Sequence, residues 1–362
     1  MIQENVTEQN TFVSSVDIFY PADWFNQIES AVISQYNILH PKGDVDNSVL
    51  SGFLLFDNNT QALSILSLAT GTKLMSGDQR EKTSSIGPVF LHDCHAEILA
   101  HRGFQVWVWN NLDMIFQNGE LPPNLTIHFY SSTPPCGDCC VHQVNNTVLT
   151  QTGSKPFGCD QSQLSTTPPN VVRGKPGHGS RSQSVSCSDK LCIWVNCGAE
   201  GSLLSNFVKT IKISSICIGE GTLETINRAI NERVNNKENK TKIFVGQSKW
   251  KQKDNSPSSS SFVWWKGCQK NGELIAAKYG RKLGVIPKRQ EDPRFYSLIC
   301  DAAMLNRFME RAENKENISL KNTKEKETEF SRRKNEIKKI LIGYGGDWAK
   351  KFQQEREWIL NM

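Results

Sequence analysis

Two short strings constrain this chain more than anything else in it. His95-Ala96-Glu97 opens a helical pattern over 95–112, and Pro135-Cys136-Gly137-Asp138-Cys139 follows a strand-like run, LTIHFYSS. Imidazole nitrogen and thiolate sulfur are ligands that zinc prefers, and a catalytic zinc site keeps a fourth position for water. Three protein ligands pull the pKa of that water towards ~7, so hydroxide exists at neutral pH. A glutamate two residues after the histidine reaches the water without binding the metal, and shuttles its proton. His95 and Cys136 therefore supply two ligands and Glu97 the acid–base group. For the third ligand, spacing favours Cys139, because i and i+3 share a face of the helix expected after Cys136. Cys187, in SVSCSDK, is the competitor from far along the chain.

The rest of the pattern is that of an α/β protein. Trp24, Ile28, Val32 and Tyr36 fall at four-residue steps, which predicts an amphipathic helix. Apolar, β-branched runs at 49–56 and 62–73 predict paired strands, with further strands at 125–132, 211–219, 242–246 and 262–265. Helices are expected after Cys136, Cys187, Gly221 and Pro293. Strands alternating with helices give an α/β sheet. Residues 1–20 read as a loose leader and 21–362 as one elaborated domain, with loop insertions near 151–184, 252–261 and 311–329. The first of these is rich in Gly, Pro, Ser and Thr and reads as a surface loop.

Composition removes several alternatives. The sequence has 42 Lys+Arg against 37 Asp+Glu, an excess of +5 that permits an anionic partner without demanding one. Eleven cysteines, an odd number, and no secretory signal argue for reduced thiols inside the cell, in nucleus or cytoplasm. No window approaches a membrane span, and nothing points to an obligate protein partner.

The joined strings match the zinc nucleobase-deaminase signature. GTK (71–73), LHDCHAEILAHRGF (91–104), PPCGD (134–138), RGKPGHG (173–179), SVSCSDKLCIWVNCGAEGSLLSNF (184–207) and DWAKKF (347–352) recur in order. Over roughly 22–362 the chain resembles the adenosine deaminases acting on RNA. Within that family it is similar to the branch that modifies position 37 of tRNA. The resemblance implies a cytidine-deaminase-like three-layer α/β fold with a mixed central sheet and added C-terminal helices. It implies a hydrolase converting adenosine to inosine in the tRNA anticodon loop, with zinc-bound hydroxide attacking C6 of adenine and Glu97 as proton shuttle. The segment ahead of the catalytic region is too short for a double-stranded-RNA-binding module, which disfavours editing of duplex RNA. A non-catalytic RNA-binding subunit with structural zinc is the other alternative, and an intact Glu97 opposes it.

The same resemblance implies that the zinc ligands are His95, Cys136 and Cys187. This moves the third ligand away from Cys139. It also implies a buried inositol hexakisphosphate held by Ile98, Arg102, Lys190, Trp194, Ser202, Arg281, Lys334, Trp348 and Lys351. Asp93, Lys175 and Lys190 would connect that ligand to the zinc. His101 and Ile193 depart from the family, whose editing enzymes usually carry basic residues there. Thr72 and Lys73 resemble residues that touch the target nucleotide and its phosphate. The loop around Arg173, Lys175 and His178 is basic and Gly-rich, suited to approaching a phosphate backbone.

Overall fold

The structure is a computed structural model. It describes residues 20–40, 48–144, 147–150, 154–157, 168–175, 184–235, 240–250, 258–269, 271–313, 318–345 and 347–348. The first helix, α1 (Trp24–Leu39), buries Trp24, Ile28, Val32 and Tyr36 on one face, as their four-residue spacing requires. β1 (Leu50–Asp57) and β2 (Ala62–Thr70) follow as an antiparallel pair. β3 (Thr72–Leu74) leaves β2 through Gly71, and after α2 (Gly77–Thr83) it pairs with β4 (Asp93–His95) in a small separate sheet. α3 (Ala96–Ile115) and β5 (Leu125–Ser131) come next, then a hairpin of β6 (Val141–Val144) and β7 (Thr147–Thr150). α4 (Cys187–Cys197), α5 (Gly201–Leu204), β8 (Ile213–Gly219), α6 (Leu223–Ile230) and β9 (Lys242–Gly246) follow in turn. β10 (Ser260–Trp265), β11 (Glu273–Ala276) and β12 (Arg281–Lys282) return to the far edge of the sheet, ahead of α7 (Asp301–Arg311), α8 (Leu320–Glu325) and α9 (Glu329–Gly343).

Eight strands make one mixed sheet in the order β12-β11-β10-β2-β1-β5-β8-β9. β5, β8 and β9 run parallel and the other neighbours antiparallel. Successive side chains of a strand point to opposite faces. Phe53, Leu66, Phe129 and Ile216 therefore join the core beneath α3 and α4, while Leu54, Leu68, Tyr130 and Cys217 pack with α1. The result is three layers, helix on sheet on helix. No described helix is long and apolar enough to cross a membrane.

The chain departs from its sequence pattern in three places. After Cys136 there is no α-helix: Asp138–Cys140 form one 3-10 turn and the chain enters the β6–β7 hairpin. Gly137 causes the diversion. Its φ is +107°, and a Cβ there would lie 2.1 Å from Ser186 Oγ, so only glycine lets the two cysteine loops close on each other. Within 151–184, residues 171–175 are not a surface loop. Arg173 is 1% exposed and Lys175 5%, and Pro156–Arg173 and Gly174–Val185 bridges tie the segment down. Within 311–329, α8 buries Leu320 and Thr323 instead of forming a solvated insertion.

Candidate active site

β4 delivers His95 to the N-terminus of α3, which places Glu97 in the first helical turn. The loop entering the 3-10 turn presents Cys136 and the start of α4 presents Cys187. His95, Cys136 and Cys187 are buried, and one donor atom from each lies within 4.8 Å of the others. His95 Nδ1 is 3.9 Å from Cys136 Sγ and 3.6 Å from Cys187 Sγ. Tetrahedral zinc with bonds of about 2.0–2.3 Å sets nitrogen and sulfur ligands roughly 3.6 Å apart, so these residues fit the metal. Cys136 is drawn below an ordinary thiol by its hydrogen bond with Cys187, which favours the thiolate that a metal needs. Cys139 is turned away into the core, and burial pushes its thiol up to about 12.

Three polar atoms around His95 are buried without a protein partner: His95 Nε2, Glu97 Oε2 and Thr72 Oγ1. Thr72 lies directly opposite His95 in the β3–β4 register, and Lys73 opposite Cys94. Orphaned buried polar atoms are costly unless a ligand or water meets them. Burial also raises the Glu97 carboxyl above its ordinary value.

Both cysteine loops are pinned from behind by α6 and the turn that follows it. Each has an aspartate two residues after its cysteine, Asp138 and Asp189, and both are fully buried. Arg228, on α6, donates to Asp138 Oδ2 at 3.1 Å and to the Asp138 and Val141 carbonyls. Arg233, in the turn that follows, pairs with Asp189 Oδ1 at 2.7 Å, and neither side chain is exposed. Asp189 also accepts from Ser186 Oγ and from the Arg173 backbone N–H. Ser188 ties the loops together, receiving the Cys139 N–H and donating to the Pro135 and Cys136 carbonyls. The sequence reading missed Arg228 and Arg233, which lie 90 and 44 residues from their aspartates.

A charged chain leads away from the cysteines. Lys175 Nζ is 2.7 Å from Cys187 Sγ and 3.0 Å from Asp93 Oδ1, and Lys190 Nζ meets Asp93 Oδ2 at 2.5 Å. Burial works to raise the Asp93 carboxyl, but the two lysines hold it well below the usual carboxylate range. Burial likewise opposes the Lys175 ammonium, and Asp93 with the cysteine sulfurs keeps it charged. Lys175 and Arg173 thus serve the interior and are not available to RNA, contrary to the expectation for that loop; His178 lies outside the described residues.

Beyond Lys190 opens a cavity of about 310 Å³. Ile98, Arg102, Lys190, Trp194, Ser202, Lys334 and Trp348 all line it. Lys334 Nζ donates to Ser202 Oγ at 3.1 Å. His101 stacks on Trp194 at 3.9 Å between centroids, and burial lowers its imidazole to about 3, so it contributes no cation. Arg281 is not among the lining residues; it bonds Gln290 and lies over Tyr279. Lys351 lies outside the described residues. Arg80 and Lys324 line the cavity without having been singled out in the sequence. Asp301, which pairs with Arg102 and Lys324, and Glu200 face it too. Burial raises Glu200 to about 8, which leaves it mostly uncharged at neutral pH. Five basic side chains converging from separate elements suit a polyanion.

A family model described as adenosine-deaminase (editase) domain matches residues 67–356. The tRNA-specific adenosine deaminase 1 of Drosophila melanogaster is 28% identical over 301 residues, 73% of this chain and 75% of that protein. The protein of the same name in Saccharomyces cerevisiae is 29% identical over 205 residues, 46% of this chain and 50% of its own length. The double-stranded RNA-specific editase Adar of Drosophila melanogaster is 28% identical over 201 residues, 47% of this chain and 29% of that one.

Proposed function

The chain belongs to the adenosine-deaminase (editase) family, and from that premise we propose that it hydrolyses adenosine to inosine in tRNA, at position 37 beside the anticodon. The observation that carries this is the meeting of His95, Cys136 and Cys187 beside an orphaned Glu97 carboxylate oxygen. His95, Cys136 and Cys187 would hold zinc, which would supply Lewis acidity and lower the pKa of a coordinated water towards ~7. Glu97 accepts a proton from the attacking water and passes it to the ring nitrogen; it then takes the proton of the new C6 hydroxyl and delivers it to the amino group, which departs as ammonia. Water and adenosine are consumed, and inosine and ammonia are released. Thr72 Oγ1 meets the target nucleotide and Lys73 its phosphate. An anticodon loop offers unstacked bases at small cost, so the target need not be pulled from a duplex.

The basic cavity would take inositol hexakisphosphate, with Arg102, Lys190 and Lys334 to meet its phosphates and Trp194 and Trp348 in the wall. Asp93 and Lys175 relay its charge to Cys187. The enzyme acts in nucleus or cytoplasm, where tRNA is matured.

Incubation with total tRNA, followed by sequencing for inosine or methylinosine at position 37, tests the activity. Wild type is expected to form it and Glu97→Ala to form none; no inosine from wild type overturns the reading. A duplex RNA in the same assay separates tRNA modification from duplex editing. Mass spectrometry of the denatured protein is expected to find one inositol hexakisphosphate per chain, and finding none would remove that ligand.

A further inference from the structure

We propose that the β11–β12 edge of the sheet, with the 3-10 turns that follow it, is a docking surface for the phosphate backbone of substrate RNA outside the reactive loop. It rests on the reading that the substrate is a tRNA, and adds to it where the body of that RNA lies. β12 ends the sheet at one edge, with Arg281 and Lys282 half-buried and Lys278, Tyr279 and Leu283 beside it exposed. Between 278 and 294 the chain carries six cations, Lys278, Arg281, Lys282, Lys288, Arg289 and Arg294, against two carboxylates, Glu291 and Asp292. Asp292 is occupied by Arg294 at 2.6 Å. Among the described residues, Lys278, Lys288 and Arg289 have no carboxylate within ion-pair distance, and all three are exposed.

An aromatic ring sits within these charges. Tyr279 is 39% exposed, with Lys278 Nζ 5.5 Å and Arg281 Cζ 5.0 Å from its centroid. Leu283 and Ile286, 56% and 52% exposed, extend the apolar ground beside it. Cations that track phosphates, interleaved with an exposed ring on which a base stacks, are the chemistry of single-strand and loop recognition. The position agrees. Gly280 O accepts the Leu91 N–H at 2.7 Å, two residues before Asp93, and Ser261 Oγ on β10 donates to the carbonyl of Cys94 at 2.9 Å. The edge is thus bonded directly to the segment that carries His95.

The test compares binding of intact tRNA by gel shift at several salt concentrations. The proteins are wild type, the exposed triple variant Lys278→Gln/Lys288→Gln/Arg289→Gln, and Tyr279→Ala. Lys242→Gln, on the opposite edge strand β9, serves as control. Each phosphate contact contributes about 0.7–0.9 to the slope of log affinity against log salt, so the triple variant is expected to lose about 2 from that slope and bind about tenfold more weakly. Loss of one stacked base in Tyr279→Ala weakens binding about tenfold. Lys242→Gln leaves the slope unchanged. In turnover, KM for tRNA rises in the triple variant while kcat holds. A triple variant with wild-type affinity and slope overturns the surface, and leaves an acidic protein as the partner such charge suits. Binding is read without turnover. A chain that binds tRNA through these residues but makes no inosine sinks the catalytic reading alone. Inosine formed with unaltered binding in the variants sinks the surface alone.

Discussion

Cys187 and Cys139 differ in what surrounds their sulfurs, and that difference predicts separable outcomes. Cys187→Ser removes a donor atom 3.6 Å from His95 Nδ1, and is expected to lose stoichiometric zinc, read by metal analysis of the purified protein. Cys139→Ser alters a core thiol already pushed up to about 12 and is expected to keep the metal. The reverse pair of results would return the third ligand to the 3-10 turn. Glu97→Gln keeps the site's shape but removes the base; it is expected to retain zinc and lose about 10²- to 10⁴-fold in kcat. His95, Cys136 and Glu97 were legible because their chemistry is local, two strings of three to five residues. The choice between Cys139 and Cys187 was not legible from spacing, because it depends on whether a helix follows Cys136. Gly137, at φ +107° with Ser186 against its α-carbon, prevents that helix, and the contact responsible comes from 49 residues further on.

At the scale of elements, α6 and the turn after it were visible as a helix following Gly221, but their purpose was not. Arg228 and Arg233 belong to no motif in the sequence, and both reach inward to aspartates in the cysteine loops. Arg233→Met leaves Asp189 buried and unpaired, which costs roughly 3–5 kcal/mol. The expected result is a large fall in urea midpoint, with Arg233→Lys recovering part of it; a midpoint within experimental scatter of wild type would show the pair to be dispensable. Residues 171–175 and α8 misled in the same way. Gly, Pro, Ser and Lys content reports that a segment is irregular or charged, and says nothing about what packs over it. Lys175 is buried because Asp93 waits for it, 82 residues back along the chain, and Asp189 holds the Arg173 backbone N–H from 16 residues further on.

Across the whole molecule, the sheet divides two cores, and each holds a buried histidine. His128, on the α1 side, lies between Thr126 and Ser215 with Trp24 edge-on, and burial lowers it to about 3 from 6.5. Its folded-state pKa is below the unfolded one, so the unfolded chain takes up a proton that the native state refuses. Stability from the neutral ring is therefore complete above pH 6.5 and falls by about 1.4 kcal/mol for each pH unit below it, until about pH 3. Urea midpoints measured from pH 7.5 to 5 should fall more steeply for wild type than for His128→Asn; parallel curves would show that the ring titrates in the native state as it does in the unfolded chain. The three-layer arrangement itself was readable, since strands alternating apolar residues on both faces need a helical layer on each side. The β3–β4 sheet was not, because three-residue strands leave too short a pattern.

The arginine pins on α6 and the turn after it have a consequence for genetics. Substitutions at 228 or 233 would abolish activity in cells by lowering the amount of folded enzyme, although neither residue comes near the base being altered. A screen for lost function would score them beside Glu97, and only the abundance of the protein would tell the two kinds of lesion apart.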